Sequence, residues 1–347
     1  MIQLVFLTFR LNLHALFDTY LDEALNSLTR VSRNDAVEGL TILLDGLSTS
    51  HICRIDLYEK ILPRLSHMKT HRLWQNTSLQ LARMYLDSSD AKYESSLQNL
   101  LQEMKSVSQS FSYLLDIYAV EILLLTREWK GRWTILRLKP ILNCCPLEGA
   151  VGSPGTIATI REAAGKVFLS QGQFPQAYTE LFEAFRAYSS SGNARASQVL
   201  QYAIIANILS LSTINPFDSR EARAYLDDPG VGNMYDLRIA YESNKLGSLT
   251  SDDTFIQRFS EDVRATMQRK KLECIVKAYS SISLEKIGYI LQTRTADETM
   301  RLVMQVVGSE MRISNGMLIS HNEDELEELI LIKEYAFELK EDLEKVQ

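Results

Sequence analysis

One short pattern recurs along this chain at intervals of 39, 44 and 40 residues. Its copies are Ala82-Arg-Met-Tyr-Leu86, Glu121-Ile-Leu-Leu-Leu125, Gly165-Lys-Val-Phe-Leu169 and Ile205-Ala-Asn-Ile-Leu209. Each closes an apolar run of helical period. A polar turn follows, such as Asp87-Ser-Ser-Asp90 or Ser170-Gln-Gly-Gln173, and then a second helical run. Pro175 stands near the first turn of one such second run, where its missing N–H is tolerated. A single helical hairpin cannot bury its apolar face, so consecutive hairpins must stack. The expectation is an all-α fold: a right-handed TPR-like helical-repeat solenoid over residues 1–254.

Composition agrees. Fifteen Gly and seven Pro in 347 residues are few for a β-rich fold. Mean hydropathy is -0.11, and no apolar run approaches the ~20 residues of a membrane span. Met1–Phe9 is apolar but lacks a basic start and a small-residue cleavage site, so it reads as a helix whose packing partner came earlier. Cys53, Cys144, Cys145 and Cys274 include no Cys-x-x-Cys pair, and a reducing compartment is the default.

From about residue 255 the pattern changes. Arg264–Ser280 reads as a helix, Ser281–Ser283 as a short strand, and Leu284–Leu291 and Ala296–Val307 as helices. Thr295 and Glu298 form a capping box for the last of these. Asn315-Gly316 then stands between two alternating apolar runs, a strong signal for a two-residue hairpin. Helix, strand, helix, helix, hairpin is the order of a winged helix, placed at 255–320. Over 321–347, Leu329, Ile332, Ala336, Leu339, Leu343 and Val346 recur at 3-4-3-4-3, a heptad seam on a long C-terminal helix suited to a bundle of partner helices.

Residues 323–347 hold ten acids against three bases, which is the whole of the formal charge of -7. The remainder is balanced, which argues against a general nucleic-acid surface. One local run is basic: Arg127, Lys130, Arg132, Arg137 and Lys139 against the single acid Glu128, with Trp129 and Trp133 interleaved. Trp and Arg are enriched at interface hot spots, so the run is a candidate partner face; a solvated face with both tryptophans turned into the repeat core is the alternative. His67 and His71 are spaced as on a zinc helix but lack the glutamate of His-Glu-x-x-His and a third ligand. The glycines form no phosphate loop, and no nucleophile constellation is present. The expectation is a chain that is not an enzyme, with no cofactor and no metal.

The most specific stretch is 178–229. Tyr178–Tyr188 contains Phe182-Glu-Ala-Phe185; Gly192-Asn-Ala-Arg-Ala196 follows, and then the helical run Gln201–Leu211. Ile214-Asn-Pro-Phe-Asp-Ser219 comes next. Pro216 cannot continue the preceding helix, and Asp218 with Glu221 suggests a capping box opening the next one. With Tyr225, Asp228-Pro229, Arg72-Leu73-Trp74 and Ile117-Tyr118-Ala119-x-Glu121, this corner resembles the PCI-domain family of scaffold proteins. That family is shared by the proteasome lid, the COP9 signalosome and translation initiation factor three. The corner favours the signalosome branch over the proteasome-lid paralogue, and the resemblance runs from about Phe9 to near the end.

The resemblance implies a non-catalytic scaffold of the nucleus and cytoplasm. It places the PCI helical part at about 160–254. It implies as partners the other PCI subunits of the signalosome and a cullin-RING ligase, and as role the support of cullin deneddylation, whose zinc protease belongs to another subunit. Family members meet the cullin through basic residues of the solenoid, which would be Arg127, Lys130, Arg132, Arg137 and Lys139 here. They usually begin with an acidic tail and a further repeat whose basic residues help bind inositol hexakisphosphate. The chain as given lacks both, so that ligand carries over without the residues that would hold it. A proteasome-lid scaffold is the alternative inside the family, and a winged-helix nucleic-acid binder the alternative outside it.

Overall fold

The computed structural model describes residues 54–67, 71–88, 91–107, 110–127, 129–145, 152–247, 249, 251–279, 281–293, 295–306, 311–314 and 317–320, with Thr19, Tyr20, Glu23 and Glu38. The expected helix over Met1–Phe9, the turn Asn315-Gly316 and the C-terminal seam of Leu329, Ile332, Ala336, Leu339 and Leu343 lie outside the described residues. Two compact units divide the chain, Met1–Val167 and Phe168–Gln347.

In the first unit, helices α1 (Arg54–His67), α2 (His71–Asp87), α3 (Ala91–Val107), α4 (Phe111–Thr126) and α5 (Arg132–Asn143) pack in sequence order, followed by α6 (Pro154–Ser170) as far as Val167. α4 is apolar all round because both its sides are buried. Tyr113, Ile117 and Val120 join a core with α1, α2 and α3, while Leu115, Ala119 and Ile122 join a second core with Leu138, Ile141, Ile160, Ala163 and Val167. The two acids of α4 are both engaged. Asp116 accepts a hydrogen bond from the Thr156 hydroxyl at 2.5 Å, and Glu121 pairs with Lys105. His67 and His71 do not share one helix: the first ends α1 and the second opens α2.

The second unit is built around α8 (Arg195–Leu209), which pairs with α7 (Phe174–Ser190) and contacts α10 (Pro229–Glu242) and α12 (Ser260–Ala278). Every residue from Tyr202 to Leu209 is buried. Polar side chains nearer its start hold the helix caps that follow. Ser197 donates to Asp228, the N-cap of α10; Gln198 and Tyr202 donate to Asp253, the N-cap of α11 (Thr254–Gln257). The recurring sequence pattern marks helix ends: Leu86, Leu125, Leu169 and Leu209 each lie at, or one residue before, the end of α2, α4, α6 and α8.

Three successive helices close on the same backbone motif. The Gln173, Asn193 and Ser212 N–H groups donate to the Phe168, Tyr188 and Asn207 carbonyls, and the residue before each donor is left-handed. Two of those residues are Gly172 and Gly192; the third is Leu211, at φ 55°. The apolar run predicted a helix through Leu211, but it ends at Leu209 because Leu211 has turned left-handed. An exposed leucine held there carries strain of about 1–2 kcal/mol, partly offset in glycine by its greater unfolded-state entropy. Leu211→Gly should therefore raise the unfolding free energy by about 1 kcal/mol, measured by urea titration.

After α12 come β1 (Ser281–Ser283), α13 (Leu284–Leu291), α14 (Ala296–Val306), β2 (Met311–Ser314) and β3 (Met317–Ser320). The sheet order is β1-β3-β2, all antiparallel, with Ser314 opposite Met317 and Ile282 opposite Leu318. Ile282 and Leu318 pack with Leu272, Ile275, Ile287, Leu291 and Val303 from the three helices. The Thr295 hydroxyl accepts from the Glu298 N–H, as the capping box requires. This is a winged helix, in the order read from the sequence.

Candidate partner-binding surfaces

The turn into α5 is tightly specified. Gly131 adopts φ 62° and ψ -124°, a region closed to other residues, and the Lys130 N–H donates to the Thr134 hydroxyl at 2.9 Å. Thr134, Leu138 and Ile141 face inward. At 100° per residue this leaves Arg132, Trp133, Leu136, Arg137, Lys139 and Pro140 on one outward arc, and all six are exposed. The structure thus brings Arg132, Arg137 and Lys139 together on one helix face, while Arg127 and Lys130 are exposed in the connection that precedes it. The tryptophans divide: Trp129 is half-buried against the core of α4 to α6, whereas Trp133 is 74% exposed.

Beside this face lies a groove of about 580 Å³ between α3, α4 and α5. Leu101, Leu124, Leu125, Leu136, Pro140 and Ile141 line it. Lys105 and Glu121, which pair with each other, line it too, as does Arg137. Sequence reading found Arg137 and Trp133 but missed Leu136 and Pro140. The spacing of Trp133, Leu136, Arg137 and Pro140 at i, i+3, i+4 and i+7 was the available signal. Nearby, burial, then the neighbouring Cys144 and Glu121, push the Cys145 thiol up to about 11, which leaves little thiolate at neutral pH. Cys144 and Cys274 are exposed, and all three are free thiols.

The corner after α8 is an anchoring device rather than an open site. Asn215 caps a 3-10 turn, Pro216–Asp218, by accepting from the Phe217 N–H; Ser219 then caps the short α9 (Arg220–Arg223) by accepting from the Ala222 N–H. The expected cap, Asp218, is displaced by one residue because it closes the 3-10 turn, whereas an N-cap needs the extended backbone that Ser219 has. Phe217 is buried edge-on to Tyr235, with ring centres 5.0 Å apart. From α8 and α10, the buried Asn207 amide and Arg238 guanidinium both donate to the Ile214 carbonyl at 3.2 Å, and Arg238 also donates to that of Ser212. Arg238 is fully buried, 3.4 Å from Glu242 and over the Tyr241 ring. Lys270 lies over the same ring. Its burial, then the charge of Arg238, hold its pKa below the usual lysine value.

In the winged helix, β1 and β2 are the sheet edges, and the register leaves only Asn315-Gly316 between paired Ser314 and Met317. Among the described residues, no group of three or more His, Cys, Asp and Glu is arranged to hold a metal ion. No described helix is long and apolar enough to cross a membrane.

Helical hairpins followed in sequence by a winged helix are the element order expected of a PCI-domain protein. No protein-family model matches the chain. Curated relatives do. The chain is 30% identical over 302 residues to "COP9 signalosome complex subunit 2" of Dictyostelium discoideum, covering 81% of this chain and 66% of that protein. The Drosophila melanogaster protein of the same name is 30% identical over 304 residues, covering 81% and 67%; that of Caenorhabditis elegans is 28% identical over 313 residues, covering 83% and 63%. The chain belongs to the COP9 signalosome subunit 2 family. It spans about two thirds of the length of these relatives.

Proposed function

We propose that this chain is a non-catalytic scaffold subunit of a COP9 signalosome, acting in the nucleus and cytoplasm to support cullin deneddylation. The observation that carries this reading is the order of helical hairpins and winged helix in a chain of the subunit 2 family. A scaffold contributes orientation: it holds a cullin-RING ligase where a neighbouring subunit can cut the isopeptide bond. The functional division is a repeat at 1–254, a winged helix at 255–320 and a C-terminal helix at 321–347. The basic face of Arg127, Lys130, Arg132, Arg137 and Lys139 meets the acidic surface of the ligase. The hairpin turning at Asn315-Gly316 supports edge-strand pairing with another PCI subunit, since an open edge offers unpaired N–H and C=O groups.

The heptad face of Leu329, Ile332, Ala336, Leu339 and Leu343 enters a bundle of partner helices. Truncation after Asp324 tests that assembly role. Incorporation into the complex, followed by size exclusion with the partner subunits, should be lost while far-ultraviolet circular dichroism still reports folded helical repeats. Normal incorporation of the truncated chain would refute the bundle.

A further inference from the structure

Two exposed apolar side chains on α5 need a covering surface. Trp133 is 74% and Leu136 55% exposed, on a helix whose charged residues are Arg132, Arg137 and Lys139, with no acid. Large exposed apolar side chains clustered on one face and rimmed by charge mark interaction sites. Leu136 also lines the groove, together with the half-buried Leu124 and Leu125 and with Leu101 of α3, so apolar surface extends from the outward face of α5 into the groove. Its single acid, Glu121, is neutralised by Lys105, which leaves Arg137 as the uncompensated charge among the lining residues. From Trp133 to Ile141, α5 offers nine residues beside the groove, about 13 Å of wall. A groove of that length takes about two turns of a helix laid on its apolar face.

We propose that the groove between α3, α4 and α5 docks an acidic amphipathic helix of a partner protein. Its apolar residues at i, i+3 or i+4, and i+7 cover Trp133, Leu136 and Leu124. Its carboxylates meet Arg132, Arg137 and Lys139, and charge complementarity fixes their register. This deepens the reading of the basic face as partner-facing, and it rests on that reading only in placing a partner there.

The test uses the full chain and a fluorescent 14-residue helical peptide with leucine at the i, i+3, i+4, i+7 positions and glutamate elsewhere. Fluorescence anisotropy should show saturable binding that weakens about tenfold or more in Trp133→Ala, as expected of a tryptophan hot spot. Leu136→Asp should weaken it likewise. Arg132→Glu together with Arg137→Glu should weaken it more at 50 mM than at 500 mM salt. Both Trp133 and Leu136 are exposed, so circular dichroism and thermal midpoints should match wild type.

Four outcomes would overturn the proposal. The first is no saturable binding up to millimolar peptide. The second is equal binding of a peptide with lysine in place of glutamate. The third is binding that appears only after residues 323–347 are removed, which would assign the groove to the chain's own acidic segment. The fourth is concentration-dependent self-association abolished by Trp133→Ala, which would assign it to a second copy. Cullin association that persists in variants unable to bind the peptide would count against the functional reading of this face and leave the groove assignment standing.

Discussion

Arg238→Ala should lower the unfolding free energy by about 3 kcal/mol, through two effects that Arg238→Met separates. The guanidinium supplies donors to the Ser212 and Ile214 carbonyls at the corner after α8. Removing this buried donor leaves the Ser212 carbonyl without it, at about 1–3 kcal/mol, while the Ile214 carbonyl keeps the Asn207 amide. Alanine also leaves a void between α8 and α10, whereas methionine fills much of it, so the methionine variant should recover about 1 kcal/mol. The buried arginine has costs of its own, since its Nε and Nη1 groups lack hydrogen-bond partners. That moderates the loss and keeps it below the sum of its parts. A second readout is Lys270. Burial holds its pKa down first and the charge of Arg238 second, so removing that charge should move it back up toward the ordinary lysine value. Urea titration measures the first effect and side-chain NMR of Lys270 the second. A stability change under 1 kcal/mol would mean that the corner holds itself.

The second large effect is kinetic. Arg132→Glu with Arg137→Glu should slow association of the assembled complex with a cullin-RING ligase about tenfold or more at low salt, because opposite charge steers encounter. The salt dependence should be shallower than that of wild type, since the steering field has been removed. Each exposed charge contributes only about 0–1 kcal/mol, so single substitutions are expected to be silent and the pair is the informative variant. Assembly with the other subunits should be unaffected. Wild-type association rates for the double variant at low salt would reduce this face to a solvated repeat surface.

The fold was legible where local chemistry and tertiary demand agree. The recurring pattern ending at Leu86, Leu125 and Leu169 marks three helix ends within a residue, because in each case polar residues follow directly. The winged helix was legible for the same reason: the Thr295 cap acts over three residues, and β2 and β3 pair up to Ser314 and Met317. The misreadings share a different cause. Leu211 continues the apolar pattern of α8, yet the backbone closes the helix before it, and nothing in the side chain announces a left-handed leucine. Asp218 carries a good capping side chain, but the 3-10 turn seeded by Pro216 sets its backbone first and passes the cap to Ser219. The groove was invisible because Leu101, Leu124 and Leu136 come from three helices, and only packing brings them together. Of the proposed basic face, the three α5 cations share an arc that helix geometry alone could have forecast. Trp133 is exposed and Trp129 half-buried on either side of the Gly131 turn, whose φ and ψ no periodicity reveals.

The central claim is that this chain holds other subunits and a cullin without doing the chemistry itself. Its most direct test is reconstitution: the complex assembled with and without the full chain, assayed for removal of the ubiquitin-like modifier from a cullin, beside the purified chain alone. The account predicts activity only in the complete complex, none in the chain alone, and recovery of the other PCI signalosome subunits when the tagged chain is purified. Undiminished activity in the complex lacking the chain, or recovery of proteasome-lid subunits in place of signalosome subunits, would contradict it.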